Sequence, residues 1–164
     1  MIRLFKHYIP HAVLLLGLID FALLVFAEEF GWRLRTDQLG LEHGAFADRL
    51  WPLLGYAGVM LTMMVAVGVY GADSLRSMRY AVTRLMVALS LGVIGIVFVD
   101  FLLDGAAFWR STLAYSTGTA LGLLIANRLI VGGILGASAF RRRVLVLGAG
   151  QRAQRLRELA DRPE

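Results

Sequence analysis

Two groups of residues in this 164-residue chain have the types and spacing that chemistry needs. The more specific is Gly148-Ala-Gly150-Gln-Arg152-Ala153, a GxGxxA turn. It follows the apolar run Val144-Leu-Val-Leu147 and leads into a helical pattern from Ala153 to Ala160. In dinucleotide folds the first glycine of such a turn permits the tight bend, and the second lets a pyrophosphate approach the backbone. The third small residue packs helix on strand, and the helix N-terminus faces the phosphates. Gly148, Gly150, Arg152 and Ala153 are therefore the candidate nucleotide-binding positions, with Arg152 placed either to meet a phosphate or to face solvent. The acid that would hold a ribose, roughly 20 residues further on, lies beyond Glu164. The pattern thus specifies the strand–turn–helix and leaves its ligand open.

The second group is Asp20 and Arg128, the two ionisable residues deep within long apolar runs. Asp20 lies about ten residues, roughly 15 Å, inside the start of the first run. Arg128 lies about thirteen residues, roughly 20 Å, inside the end of the last run if that end is Arg141. An unpaired charge at such depth in a bilayer costs at least about 3 kcal/mol on insertion scales, so the matched depths predict an interhelical ion pair. The alternative is a last run that ends near Asn127, with Arg128 snorkelling to the interface. Other reactive types carry less. His43 beside Glu42 lacks the three or four ligands of a metal site. Asp100 and Asp104 read as a span boundary, His7 and His11 as interfacial, and Met60, Met63 and Met64 as packing. Without cysteine there is no disulfide, zinc finger or thiol nucleophile.

Four elements must position these residues. The chain is 58% hydrophobic and 18% charged, outside soluble globular usage. Its apolar residues fall in blocks long enough for a bilayer, which takes about 20 helical residues. Spans are predicted at Pro10–Phe30, Trp51–Tyr70, Tyr80–Leu103 and Thr112–Gly136. Each is apolar around its circumference, and backbone amides in hydrocarbon must be satisfied within the segment, so each is helical. A basic start and Val25-Phe26-Ala27 invite a signal-peptide reading of the first span, but Asp20 and three further spans oppose cleavage. The fold class is an all-α, four-transmembrane-helix bundle over residues 1–140, followed by the first strand and helix of a Rossmann-like domain over 141–164. One strand and one helix close no sheet, so the chain reads as the front of a longer protein.

Glycine recurs in the spans at Gly55 and Gly58, Gly92 and Gly95, Gly118 and Gly122, and Gly132, Gly133 and Gly136. Small residues at this spacing let helices approach closely, and Gly118-Thr-Ala-Leu-Gly122 is a GxxxG. A homo-oligomer contact is one reading; the ordinary abundance of glycine in membrane helices is the other. The segment from Gly31 to Leu50 is polar and reads as a loop, with a short interfacial helix ending at Trp51. Lysine and arginine set the orientation. Arg3, Lys6, Arg76, Arg79, Arg84, Arg141, Arg142 and Arg143 share one side, against Arg33, Arg35, Arg49 and Arg110 on the other. Both termini are therefore expected in the cytoplasm. With a net charge of +5 carried at segment ends, the expected partner is the lipid bilayer and not nucleic acid.

The opening MIRLFKHYIP, the four spans, the basic RRR and VLVLGAGQRAQRL together resemble the N-terminal region of bacterial polyprenyl-phosphate sugar-phosphate transferases. The nearest branch is the exopolysaccharide sugar transferases associated with PEP-CTERM protein sorting. The resemblance covers essentially the whole chain, and its opening decapeptide is the branch-specific part. It implies a membrane domain, a cytoplasmic Rossmann-like domain and a catalytic domain. That last domain moves a sugar phosphate from a nucleotide sugar to undecaprenyl phosphate, using an acidic pair and magnesium. No acid here corresponds to that pair, so no catalytic residue is carried over, and the chain itself needs no cofactor. Gly68-Val-Tyr-Gly-Ala-Asp73 departs from the Gly-Leu-Tyr-Asp turn common in the family after the second span. A membrane-bound nucleotide-sugar dehydratase is the alternative, and would need a Tyr-x-x-x-Lys pair that this chain lacks. A non-enzymatic four-helix membrane scaffold is the third reading.

Overall fold

A computed structural model describes residues 2–4, 7–9, 11–71, 78–102 and 110–135. Apart from a short antiparallel hairpin, β1 (Ile2–Leu4) with β2 (His7–Ile9), the described residues form helices and their connections. The helices are α1 (His11–Leu39), α2 (Phe46–Ala66), α3 (Met78–Leu102) and α4 (Arg110–Leu135). Of these, α2 and α3 are long and apolar enough to cross a membrane. The expected Rossmann-like strand and helix over 141–164 lie outside the described residues.

The helices pack as a ring in which α1 touches α2, α2 touches α3, α3 touches α4, and α4 closes against α1. Each contributes one stripe at helical spacing. These are Leu16, Asp20, Leu24, Ala27, Glu28 and Gly31 on α1, and Leu53, Tyr56, Ala57, Met60 and Met64 on α2. Ala81, Leu85, Ala88, Leu89, Gly92 and Ile96 face in from α3, and Leu113, Ser116, Ala120, Leu124, Asn127 and Arg128 from α4. The closest approach is α1 on α4. A Cβ at Gly31 would collide with Ser116 Oγ and lie 2.8 Å from the Ser116 backbone nitrogen. On the other side of the ring, Gly92 seats Met60, and Gly95 lies against Val59 and Met63.

Contrary to the expected loop, the polar segment 31–50 is mostly helix: α1 continues to Leu39 and α2 begins at Phe46, so the connection is only 40–45 and Trp51 sits within α2. Polarity ends a lipid-compatible run but does not end a helix, since Glu29 and Arg33 stabilise it at i, i+4 with a 2.7 Å ion pair. The stop comes at Gly40, whose φ of +64° lets its own N–H reach Asp37 O (3.2 Å) and that of Leu41 reach Thr36 O (3.0 Å). The Gly118–Gly122 pair makes no helix contact among the described residues, since a Cβ at either position would meet nothing within 4 Å; their face is exposed, which fits a homo-oligomer contact and the ordinary abundance of glycine equally. A Cβ at Gly55 or Gly58 likewise meets nothing within 4 Å.

Candidate functional site

The α1–α4 interface carries two buried polar clusters. The first is built on Asp20, which is fully buried. Helix α4 runs antiparallel to α1, so the residues opposite Asp20 are Asn127 and Arg128. Asn127 Nδ2 donates to Oδ1 at 2.8 Å, and Arg128 Nη2 donates to Oδ2 at 2.7 Å. The third donor comes from the turn after α2. Gly68 at φ +77° closes that helix, with Gly68 N–H on Val65 O (3.0 Å) and Val69 N–H on Met64 O (2.9 Å). This reversal brings Tyr70 back across the bundle, and its hydroxyl donates to Asp20 Oδ2 at 2.8 Å. The Arg128 guanidinium carbon lies 5.5 Å from the centroid of the Tyr70 ring, within cation–π range. Arg84 Nη1 ties α3 to the same turn through Gly68 O at 2.8 Å.

The structure therefore brings Asp20 and Arg128 together, on a helix that runs past Asn127 to Leu135. Sequence reasoning missed Asn127 and Tyr70. Asn127 adjoins Arg128, and one residue along a helix turns the chain about 100°, so its polarity inside an apolar run was the available signal. Tyr70 carried no such signal, because its place depends on the turn geometry. Three donors occupy both oxygens of Asp20, so most of its hydrogen-bonding capacity is used within the cluster. The cluster is a structural tie that joins α1, α4 and the α2–α3 turn.

The second cluster surrounds Glu28, eight residues along the same stripe of α1 and 3% exposed. Ser116 of α4 neighbours its carboxyl. The Tyr56 hydroxyl of α2 adjoins Thr117 and lies in the field of Glu28. Glu28 Oε2 and the hydroxyl oxygens of Tyr56, Thr112, Ser116 and Thr117 are buried and make no well-aligned hydrogen bond among the described residues, although Ser116 lies close enough to partner Glu28 and Thr117 close enough to partner Tyr56. The sequence reading did not single out Glu28, which lies near the end of the first predicted span. Its i+4 and i+8 spacing from Leu24 and Asp20 would have placed it on the buried face.

Next to Glu28 a half-open cleft of about 330 Å³ separates α1 from α2. Its lining includes Glu28, Glu29, Trp32, His43, Asp48 and Arg49. Glu29 is neutralised within it: Arg33 Nε reaches Oε1 at 2.7 Å and Arg49 Nη2 reaches the same oxygen at 3.0 Å. Arg49 also donates to the backbone oxygens of His43 and, at 3.0 Å, Gly44, which fixes the 40–45 connection over the cleft. Trp32 Nε1 adds a 3.3 Å bond to His43 O. His43 lies 3.0 Å from Asp37, both exposed. Among the described residues no group of three or more His, Cys, Asp or Glu is arranged to hold a metal ion.

The candidate nucleotide turn, Gly148, Gly150, Arg152 and Ala153, lies outside the described residues. No protein-family model, curated protein or solved structure matches the chain.

Proposed function

We propose that the chain is a four-span anchor in a bacterial cytoplasmic membrane, with both termini on the cytoplasmic side. Its role is to hold a Rossmann-like region and a catalytic sugar-phosphate transferase region next to their lipid substrate. The observation that carries the membrane part is an inverted distribution of polarity. Asp20, Glu28 and Arg128 are 6% exposed or less, whereas Leu18, Ile94, Phe98 and Phe101 are each more than 60% exposed on the outside of the ring. In water this arrangement would expose apolar surface and desolvate charge at once. In hydrocarbon the same arrangement is favourable, because ionisable side chains face the bundle interior and pair there. α2 and α3 meet the length and apolarity of a span, and α1 and α4 carry the internal charges while packing along the full interface. The basic residues Arg79 and Arg84 at the start of α3 support a cytoplasmic placement of that end.

The transferase part rests on the resemblance of MIRLFKHYIP and VLVLGAGQRAQRL to the exopolysaccharide sugar transferases. On this reading nucleotide sugar and undecaprenyl phosphate meet in the catalytic region, where magnesium offsets the phosphate charge. The present residues contribute position. A soluble catalytic region would find a lipid-borne phosphate only at the membrane face, and tethering raises its effective concentration there.

Two measurements test the proposal. A cysteine placed at Ala45 should react with an impermeant thiol reagent only from the periplasmic side, and reaction only from the cytoplasm would reject the topology. Membranes expressing the complete reading frame that contains this chain should transfer labelled sugar phosphate from nucleotide sugar to undecaprenyl phosphate. Membranes with the 164-residue chain alone should not. Turnover by the chain alone, or none by the complete frame, would reject the transferase reading.

A further inference from the structure

Two buried carboxyls lie on one stripe of α1, eight residues apart, and the fold treats them differently. Asp20 receives a guanidinium and two further donors. Glu28 is just as enclosed, yet among the described residues no cationic side chain comes within ion-pair distance of it. The charged and titratable groups on each neighbouring element have other partners or carry no charge. On α1, Glu29 adds like charge but is itself held by Arg33 and Arg49, and Arg35 bonds Gln38. On α2, all three nitrogens of Arg49 are engaged, with Glu29 and with the backbone oxygens of His43 and Gly44. Asp48 and His43 are exposed, and Tyr56 presents a neutral phenol. From α4 come only the hydroxyls of Thr112, Ser116 and Thr117, since Arg110 is exposed and Arg128 belongs to Asp20. Helix α3, which carries Asp100, packs against α2 and α4 and closes no seam with α1.

A carboxylate this enclosed, without a counter-charge, takes up a proton in preference to standing ionised. Its neighbours suit the acid. A protonated carboxyl has an O–H to donate, and the Ser116 hydroxyl beside it has lone pairs to accept and a hydrogen to return. Ser116 also marks the closest approach of α1 and α4, at Gly31. We propose that Glu28 is a proton-operated latch: as the neutral acid bonded to Ser116 it keeps the outer seam of α1, α2 and α4 closed, and loss of its proton opens that seam at the α1–α2 cleft. The cleft supplies the route for the proton, because Glu28 forms part of its lining. It also supplies the linkage, because Arg49 lines the same cleft. Ionised Glu28 draws Arg49 away from Glu29 and from the oxygens of His43 and Gly44, which frees the 40–45 connection. The Asp20 tie, whose charge is already compensated, holds the inner end of the bundle meanwhile. The latch rests on the anchor reading only for the compartment whose pH it senses, the periplasm.

The test uses the full chain in nanodiscs, which expose both faces to one buffer, beside Glu28→Gln, whose amide keeps a donor for Ser116 and has no proton to lose. Amide hydrogen exchange across residues 40–45 is measured for both proteins at each pH, from mildly acidic to mildly alkaline. Comparison at equal pH cancels the intrinsic pH dependence of exchange, and the His43–Asp37 pair is present in both proteins. The two should exchange alike in acid. In alkaline buffer the wild type should exchange faster, by up to about tenfold per pH unit, because opening releases a single proton. Equal rates at every pH would overturn the latch. Faster exchange in Glu28→Gln at every pH would show an ionised Glu28 held by a cation, and would overturn it too. A second readout needs the wild type alone. Dicyclohexylcarbodiimide converts protonated carboxyls in apolar surroundings to N-acylureas that mass spectrometry locates by residue. Glu28 should label in neutral buffer and more slowly in alkaline buffer, while Glu29, ion-paired in the same cleft, stays unlabelled. Labelling of Glu29 ahead of Glu28, or of neither, would overturn the proposal even if Glu28→Gln fails to fold.

Discussion

Replacing Asp20 by asparagine isolates the charge of the Asp20–Arg128 pair from its hydrogen bonds. Asparagine has nearly the same shape, and its oxygen can still accept from Tyr70 and Arg128 where Oδ2 does now. The Asn127 amide can turn to present its own oxygen to the new NH₂ group. What disappears is the counter-charge to Arg128, whose Nε and Nη1 have no hydrogen-bond partner among the described residues. Its side chain is only 4% exposed, so water cannot substitute. Removing one partner of a buried pair costs about 3–5 kcal/mol, because a charge is left uncompensated. That corresponds to at least a hundredfold change in the unfolding equilibrium at roughly 1.4 kcal/mol per decade. Arg128→Gln should cost a similar amount for the reverse reason. The double variant buries no charge, so it should be no less stable than either single one, giving a coupling of about 3 kcal/mol or more. Steric trapping of the unfolded state in bicelles would measure all four species. Losses that add to within about 0.5 kcal/mol would refute the pair as an energetic unit, whatever its 2.7 Å geometry.

Three further outcomes are expected. Tyr70→Phe keeps the ring against Arg128 but removes the donor to Asp20, and should cost about 1.5–3 kcal/mol; an unchanged unfolding equilibrium would show the turn does not contribute to the tie. Gly31→Ala forces a methyl against the Ser116 backbone and should cost about 1–3 kcal/mol. Gly122→Ala, with open space at its Cβ, should stay within about 0.5 kcal/mol of wild type; the reverse order in thermal unfolding would contradict the packing of α1 on α4. Arg49→Ala removes the clamp on His43 and Gly44 and should speed amide hydrogen exchange across residues 40–45 while leaving that of α3 unchanged. Identical exchange in both proteins would assign the order of this connection to something else.

The sequence by itself determined that the chain is built of long apolar helices and roughly where they run, because unbroken blocks of such length leave the backbone no other way to satisfy its amides. It also singled out Asp20 and Arg128, since a charge inside an apolar run is conspicuous without any knowledge of packing. The tertiary structure decided which face of each helix turns inward. When a helix is apolar all round, its periodicity carries little trace of the buried side, and selection falls to close approaches such as Gly31 on Ser116 and Gly92 on Met60. Those approaches buried Glu28 in a polar cluster, and left Gly118 and Gly122 facing outward despite their spacing. The Asp20 tie divides the same way. Its two charges were legible in one dimension, but Tyr70 reaches Asp20 only because Gly68 takes a left-handed conformation and reverses the chain. That contact spans fifty residues of sequence and exists only once the helices have packed.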